Sequence, residues 1–188
     1  MKTLALFDFD GTLTTRDSFI LFMLHLGGVR GTLRWLRSSF GKDALRSSWR
    51  RDVEPLKLGW MKDVLAGRSR AEYEASGRRF CAERLPALLR RDAIARLDWH
   101  RAQGHEVWIV SASLDAWLRP WCDARGIGLM CTELESEEGI LTGRLSGPHC
   151  DGENKARLVR ERLDLTRFDR VFAYGNGSGD RAMLALAR

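Results

Sequence analysis

Cysteine and proline are both sparse, four of each in 188 residues, and no apolar run approaches the twenty or so residues that would span a bilayer. Cys81, Cys122, Cys131 and Cys150 form no CxxC pair, a spacing that excludes a zinc knuckle or dithiol redox motif and fits reduced thiols. A single Lys2 precedes a short apolar run that already contains Asp8, which suits neither a signal peptide nor a membrane span; a cytoplasmic chain is expected. No internal repeat or low-complexity tract is visible. Acidic residues are scarce in one region: residues 16–91 hold eight Asp or Glu against seventeen Lys or Arg, a balance of +9, whereas the remainder balances at −3. Such a field draws anionic small molecules, phospholipid surfaces and nucleic acid alike, and an ordinary solvated arginine-rich helix surface has the same composition. No recognisable nucleic-acid module accompanies the arginines, which argues against that partner. With 44% hydrophobic residues the chain can bury one good core and a small accessory lobe.

What is present begins at Leu4-Ala5-Leu6-Phe7-Asp8-Phe9-Asp10-Gly11-Thr12. The apolar run predicts a buried strand of a mostly parallel sheet, and Gly11 supplies the turn that ends it. Ligands of open α/β sheets gather at the carboxyl ends of strands. Asp8 and Asp10 lie two apart, so in an extended chain both leave the same face and can converge on one cation. A divalent metal relieves the repulsion between them.

After Leu13 the expected alternation of strand and helix is postponed for some eighty residues that read as helical. Asp17 and Ser18 offer caps for a first helix, with Gly27-Gly28 as its stop. Val29, Leu33, Leu36 and Phe40 recur at helical spacing, with Arg30, Arg34 and Arg37 elsewhere on the wheel and Trp35 among them. That basic amphipathic helix can rest on neighbouring helices or on anionic lipid. Helical patches follow around Trp60 to Leu65 and from Ala71 to Leu89, with Pro86 as a break or a new first turn.

From Asp92 the alternation resumes. A helix to Gln103 is stopped by Gly104, and a strand from His105 to Val110 ends in Ser111-Ala112-Ser113, where a serine hydroxyl and adjacent amides can bind a phosphate oxygen. On its own such a tripeptide more often caps the next helix. A helix from Leu114 to Arg125, a third strand over Gly128 to Thr132, and a hairpin over Glu133 to Leu145 turning near Glu137-Glu138-Gly139 come next. Lys155 opens a helix whose amides and ammonium both favour an anion, although a lone lysine there is commonly just exposed. The last element is a strand from Arg170 to Gly175, followed by Asn176-Gly177-Ser178-Gly179-Asp180.

The ordered set DFDGT, Ser111, Lys155 and Gly175 to Asp180 resembles the haloacid dehalogenase superfamily, over nearly the whole chain. The helical insertion between the first two motifs is similar to the phosphoserine phosphatase-like subfamily IB. The resemblance implies an α/β fold: a Rossmann-like three-layer core with a parallel sheet, formed by residues 1–15 and 92–188, and an inserted helical cap over residues 16–91. It implies a magnesium-dependent phosphomonoesterase in which Asp8 is the nucleophile, forming an aspartyl-phosphate, Asp10 the acid and base, and Lys155 the charge that steadies both. Substrate contacts are expected at Thr12, Asp17, Ser111, Ala112 and Lys155, and metal contacts at Asp8, Asp10, Asn176 and Asp180.

Two departures from the family pattern stand out. Asn176 occupies the place of the first aspartate of GDxxxD, and an amide oxygen brings no charge to a magnesium site. The chain also reaches Arg188 where relatives continue to one more strand, so an open sheet edge is expected. Asp17 keeps, in shorter form, a carboxylate by which phosphoserine phosphatases recognise an ammonium, whereas Ser111-Ala112-Ser113 replaces their SGG. Segments such as Thr132 to Glu135, Thr142 to Arg144 and Cys150 to Lys155 look more like relatives of histidinol-phosphatases and of phosphatidylglycerophosphatase. The substrate classes implied are therefore phosphoserine, histidinol phosphate or a phosphatidylglycerophosphate-type lipid, the last compatible with peripheral contact at an anionic membrane. A second reading is a degenerate, non-catalytic member whose basic cap binds an anionic lipid or another partner.

Overall fold

The computed structural model describes residues 1–27 and 54–188. Its centre is a four-stranded parallel sheet in the order β3-β2-β1-β6, formed by β1 (Thr3–Phe7), β2 (Glu106–Leu114), β3 (Gly128–Thr132) and β6 (Arg170–Tyr174). All five β1 residues are buried, as a strand flanked by two others and covered on both faces requires. Successive side chains of that strand divide between two layers. Leu4 and Leu6 join Val110, Met130 and the apolar side of α6 (Glu153–Arg162), with Met183 of α7 (Arg181–Leu184). Ala5 and Phe7 face the opposite layer, which includes α4 (Arg91–Ala102) and α5 (Asp115–Asp123). The chain thus has the α/β architecture expected, with helices on both sides of a parallel sheet.

The stretch between β1 and α4 contributes three helices: α1 at residues 18–27, α2 (Glu54–Leu65) and α3 (Arg70–Glu83). It leaves and re-enters the sheet side by side, through a bridge between Thr14 and Leu89 and a bond from the Arg90 amide to the Leu13 carbonyl at 2.8 Å. Pro86 lies in the first turn of a short 3-10 helix, Leu85–Leu88, beyond α3. Tyr73, Gly77 and Phe80 line the buried face of α3 at spacings of four and three. Gly77 has a purpose: a methyl group there would collide with the backbone carbonyl of Ala116 in α5. Phe22 of α1 meets Phe80, Tyr73 and Trp117, so inserted helices and sheet share one continuous apolar cluster. The basic amphipathic pattern from Val29 to Phe40, and the Gly28 half of the expected helix stop, lie outside the described residues; Gly27 is still helical.

Several boundaries differ from the sequence expectation. The second strand does not stop at Val110 but carries Ser111, Ala112 and Ser113 within it, and α5 begins only at Asp115. A register shift against β3 between Ser111 and Leu114 accounts for this, because a bulge lets a strand continue while it re-aims its side chains. The hairpin is β4 (Leu134–Glu137) with β5 (Ile140–Leu145), and Glu135 and Glu137 both pair with Arg144. At the outer edge of β6, Arg188 exchanges both backbone hydrogen bonds with Val171, at 2.9 and 3.0 Å, so the edge is paired at that residue. All four cysteines are free thiols, and no helix among the described residues is long and apolar enough to cross a membrane.

Candidate active site

Asp8 follows the last residue of β1, and its backbone amide donates to the Tyr174 carbonyl at 2.8 Å, continuing the β1–β6 ladder one step past the strand. The residue is buried at 6% exposure. One oxygen, Oδ1, accepts from Lys155 Nζ at 2.6 Å, and Oδ2 accepts from the Thr12 hydroxyl at 2.9 Å. Lys155 is itself buried at 2%, against the expectation for a helix-start lysine, and donates at 2.6 Å to Asp180 Oδ1 as well. Asp180 Oδ2 in turn accepts from the amides of Asn176 and Gly177 at 3.0 and 2.9 Å. Burial alone would pull the Lys155 ammonium down, but Asp8 and Asp180 outweigh it and hold the pKa above its ordinary value. Asp8 is pushed upward, chiefly by burial, with Lys155 opposing.

Asp10 sits across the same corner with both oxygens engaged. Oδ1 accepts from the Ser18 amide at 2.6 Å and Oδ2 accepts from the Ser113 hydroxyl. Burial, then the neighbouring Asp17 carboxylate, raises its pKa to about 6, with Ser113 and Ser18 restraining the shift. Asp17 accepts from the Ile20 amide at 3.2 Å, the cap contact foreseen for α1, and pairs with Lys57 of α2 at 2.6 Å.

These groups line a cavity of about 350 Å³. Asp8, Asp10, Asp17, Ser111, Ala112, Lys155, Asn176 and Asp180 all reach it, whereas Thr12 does not and instead stands behind Asp8. The Thr12 hydroxyl is also 3.4 Å from Asn176 Oδ1, so the Asp8 and Asn176 oxygens flank one hydroxyl. Gly11, at φ +79°, leaves room for Asn176, whose amide a methyl group would strike. Among the described residues no cluster of three or more His, Cys, Asp or Glu is arranged to hold a metal. An all-oxygen set of Asp8 Oδ2 and Asn176 Oδ1 suits a hard dication completed by water and phosphate, not a protein cage. Asp180, expected among the ligands, spends one oxygen on Lys155 and the other on two amides, and so organises the loop.

The structure adds residues that the sequence reading did not single out. Lys57, Phe19, Leu58 and Met61 form the wall contributed by the inserted helices, and nothing in their spacing announced it. Ser113 could have been found, because it stands two residues beyond Ser111 on one strand, the same relation that joins Asp8 and Asp10. The haloacid dehalogenase-like hydrolase family model matches residues 5–185.

This chain belongs to that family. Among curated proteins, the haloacid dehalogenase-like chain is 36% identical over 192 residues to Protein CicA of Caulobacter vibrioides, covering 98% of this chain and 82% of CicA. It is 30% identical over 200 residues to Phosphoserine phosphatase SerB1 of Mycobacterium tuberculosis, covering 97% of this chain and 61% of SerB1. A solved structure of a protein with unknown function from Bordetella pertussis superposes with a TM-score of 0.79 at 25% identity, over 100% of this chain and 87% of that one. The family member described here is therefore a haloacid dehalogenase-like hydrolase.

Proposed function

We propose that this chain hydrolyses a phosphomonoester through a phosphorylated Asp8. The observation that carries the reading is the buried Lys155 ammonium, 2.6 Å from both Asp8 and Asp180 at the floor of the cavity, with the separately clamped Asp10 across from it. Lys155 holds Asp8 as an oriented carboxylate and offsets charge arriving on the phosphoryl group. Asp8 attacks phosphorus while Asp10 protonates the departing alkoxide; Asp10 then takes a proton from the water that opens the acyl phosphate. A group raised to about 6 can serve in both directions near neutral pH. Ser111 and the Ala112 segment receive the phosphate oxygens, and Thr12 orients Asp8.

Magnesium would be held by Asp8 Oδ2, the Asn176 amide oxygen and the Asp10 main-chain carbonyl, and when bound it supplies positive charge to the transferring phosphoryl group. Residues 16–91 act as the cap on a core of residues 1–15 and 92–188. The substrate is a small phosphorylated metabolite or lipid headgroup, of the phosphoserine, histidinol phosphate or phosphatidylglycerophosphate type. An ammonium on its leaving group would have to displace Lys57 from Asp17.

The test is magnesium-dependent hydrolysis of an aryl phosphate by the chain beside Asp8→Asn and Asn176→Asp. Activity in the chain and a loss of roughly a thousandfold or more in Asp8→Asn is expected. Full turnover by Asp8→Asn excludes the mechanism. Activity confined to Asn176→Asp makes the chain a disabled member, whose function then lies in the cap.

A further inference from the structure

Resting on the phosphatase reading, we infer that Ser113 is the positioning residue for Asp10, so that the two hydroxyls of Ser111-Ala112-Ser113 are divided between phosphate and acid–base group. Three observations converge on it. Ser113 is 2% exposed, and its hydroxyl donates to Asp10 Oδ2. Its amide donates to Ser111 Oγ at 3.1 Å, so the Ser111 side chain holds the Ser113 backbone in place on the bulged end of β2. The other carboxyl oxygen, Oδ1, accepts the Ser18 amide at 2.6 Å, and the Ser18 hydroxyl accepts from the fully buried Trp117 indole at 3.0 Å.

Asp10 is thereby gripped from two directions, by an inserted helix through a main-chain amide and by the sheet through a side chain. Oδ1 faces two donors, the Ser18 amide and the Thr14 hydroxyl at 3.5 Å, whereas among the described residues Oδ2 has Ser113 alone, so the mobile proton belongs on Oδ2. An sp² oxygen has two lone pairs; Ser113 occupies one, which leaves the other for the proton on a residue that lines the cavity. In the first half-reaction an Asp8 oxygen bonds to phosphorus, the ester P–O bond breaks, and the Oδ2 proton passes to the leaving alkoxide. In the second, a water oxygen bonds to phosphorus, the acyl-phosphate P–O bond breaks, and one water proton returns to Oδ2. Ser113 gives up nothing in either step. It keeps Oδ2 aimed while the proton leaves and returns.

A positioning role is separable from a folding role by the leaving group. An aryl phosphate expels a phenolate that needs little protonation, whereas glycerol phosphate expels an alkoxide that needs the acid. Single-turnover release of the alcohol with magnesium present isolates the first half-reaction. Ser113→Ala should slow release from glycerol phosphate by roughly tenfold to a hundredfold and change the aryl ester by less than about threefold, and Ser113→Thr, which retains the hydroxyl, should restore the alkyl rate. Equal losses on both esters, or no loss on either, overturn the inference while leaving the phosphatase reading intact. A wild-type chain that cleaves neither ester overturns both.

Discussion

At Lys155 one side chain answers for two others. Removing its charge leaves Asp8 and Asp180 buried at 6% and 3% exposure with no cation between them. Lys155→Met should therefore lower unfolding free energy by about 3 kcal/mol at neutral pH, and the deficit should shrink on acidification as one carboxylate takes a proton. Urea denaturation at two pH values checks this. The motif residues were legible because DFDGT is local: an apolar strand, a turn and two acids at a spacing of two. The burial of Lys155 was not, since it arises from partners 147 and 25 residues away. Lys57 escaped for the same reason, reaching Asp17 across 40 residues from a helix whose own pattern concerns packing.

Between elements, a close fit lies where α3 crosses α5. Gly77 lets the Ala116 carbonyl approach, while Arg70 and Tyr73 of α3 reach Asp115 at 2.8 and 2.9 Å and the Arg70 guanidinium also holds the Leu134 carbonyl. Gly77→Ala should improve helix propensity and still destabilise the protein by about 2 kcal/mol, because the added carbon has to push the two helices apart. A lower melting temperature with an unchanged far-ultraviolet spectrum is the expected result. The helices themselves were foreseeable from their spacing, and Pro86 fell where a new turn begins. The end of β2 was legible to within a residue, since the strand was read to end in Ser111 to Ser113 and the helix to begin at Leu114; the bulge against β3 that carries the strand on to Leu114 is a property of pairing.

For the molecule as a whole, two shifted titrations oppose each other. His100 is fully buried, with Nδ1 2.8 Å from His105 Nδ1 and Nε2 2.9 Å from the Tyr174 hydroxyl. Burial, then His105 and Arg96, lowers its pKa to about 4. Below pH 6.5 the unfolded chain accepts a proton that the fold refuses, so this histidine's contribution is present above pH 6.5 and lost as pH falls toward 4. Asp10, raised to about 6, runs the other way: the fold holds its proton more tightly than the unfolded chain between pH 6 and 4. His100→Phe should remove on the order of 2 kcal/mol of acid sensitivity, so the cost of the substitution should be smaller at pH 4.5 than at pH 7 in urea titrations. The inserted helices are joined to this system through the bond between the Ser18 amide and Asp10. An engineer who exchanged residues 16–91 for another family member's insertion would be transplanting half of the Asp10 carboxylate's mounting along with the helices. A graft that merely covered the cavity would supply shelter without aim, so the unit of exchange has to include the first turn of α1.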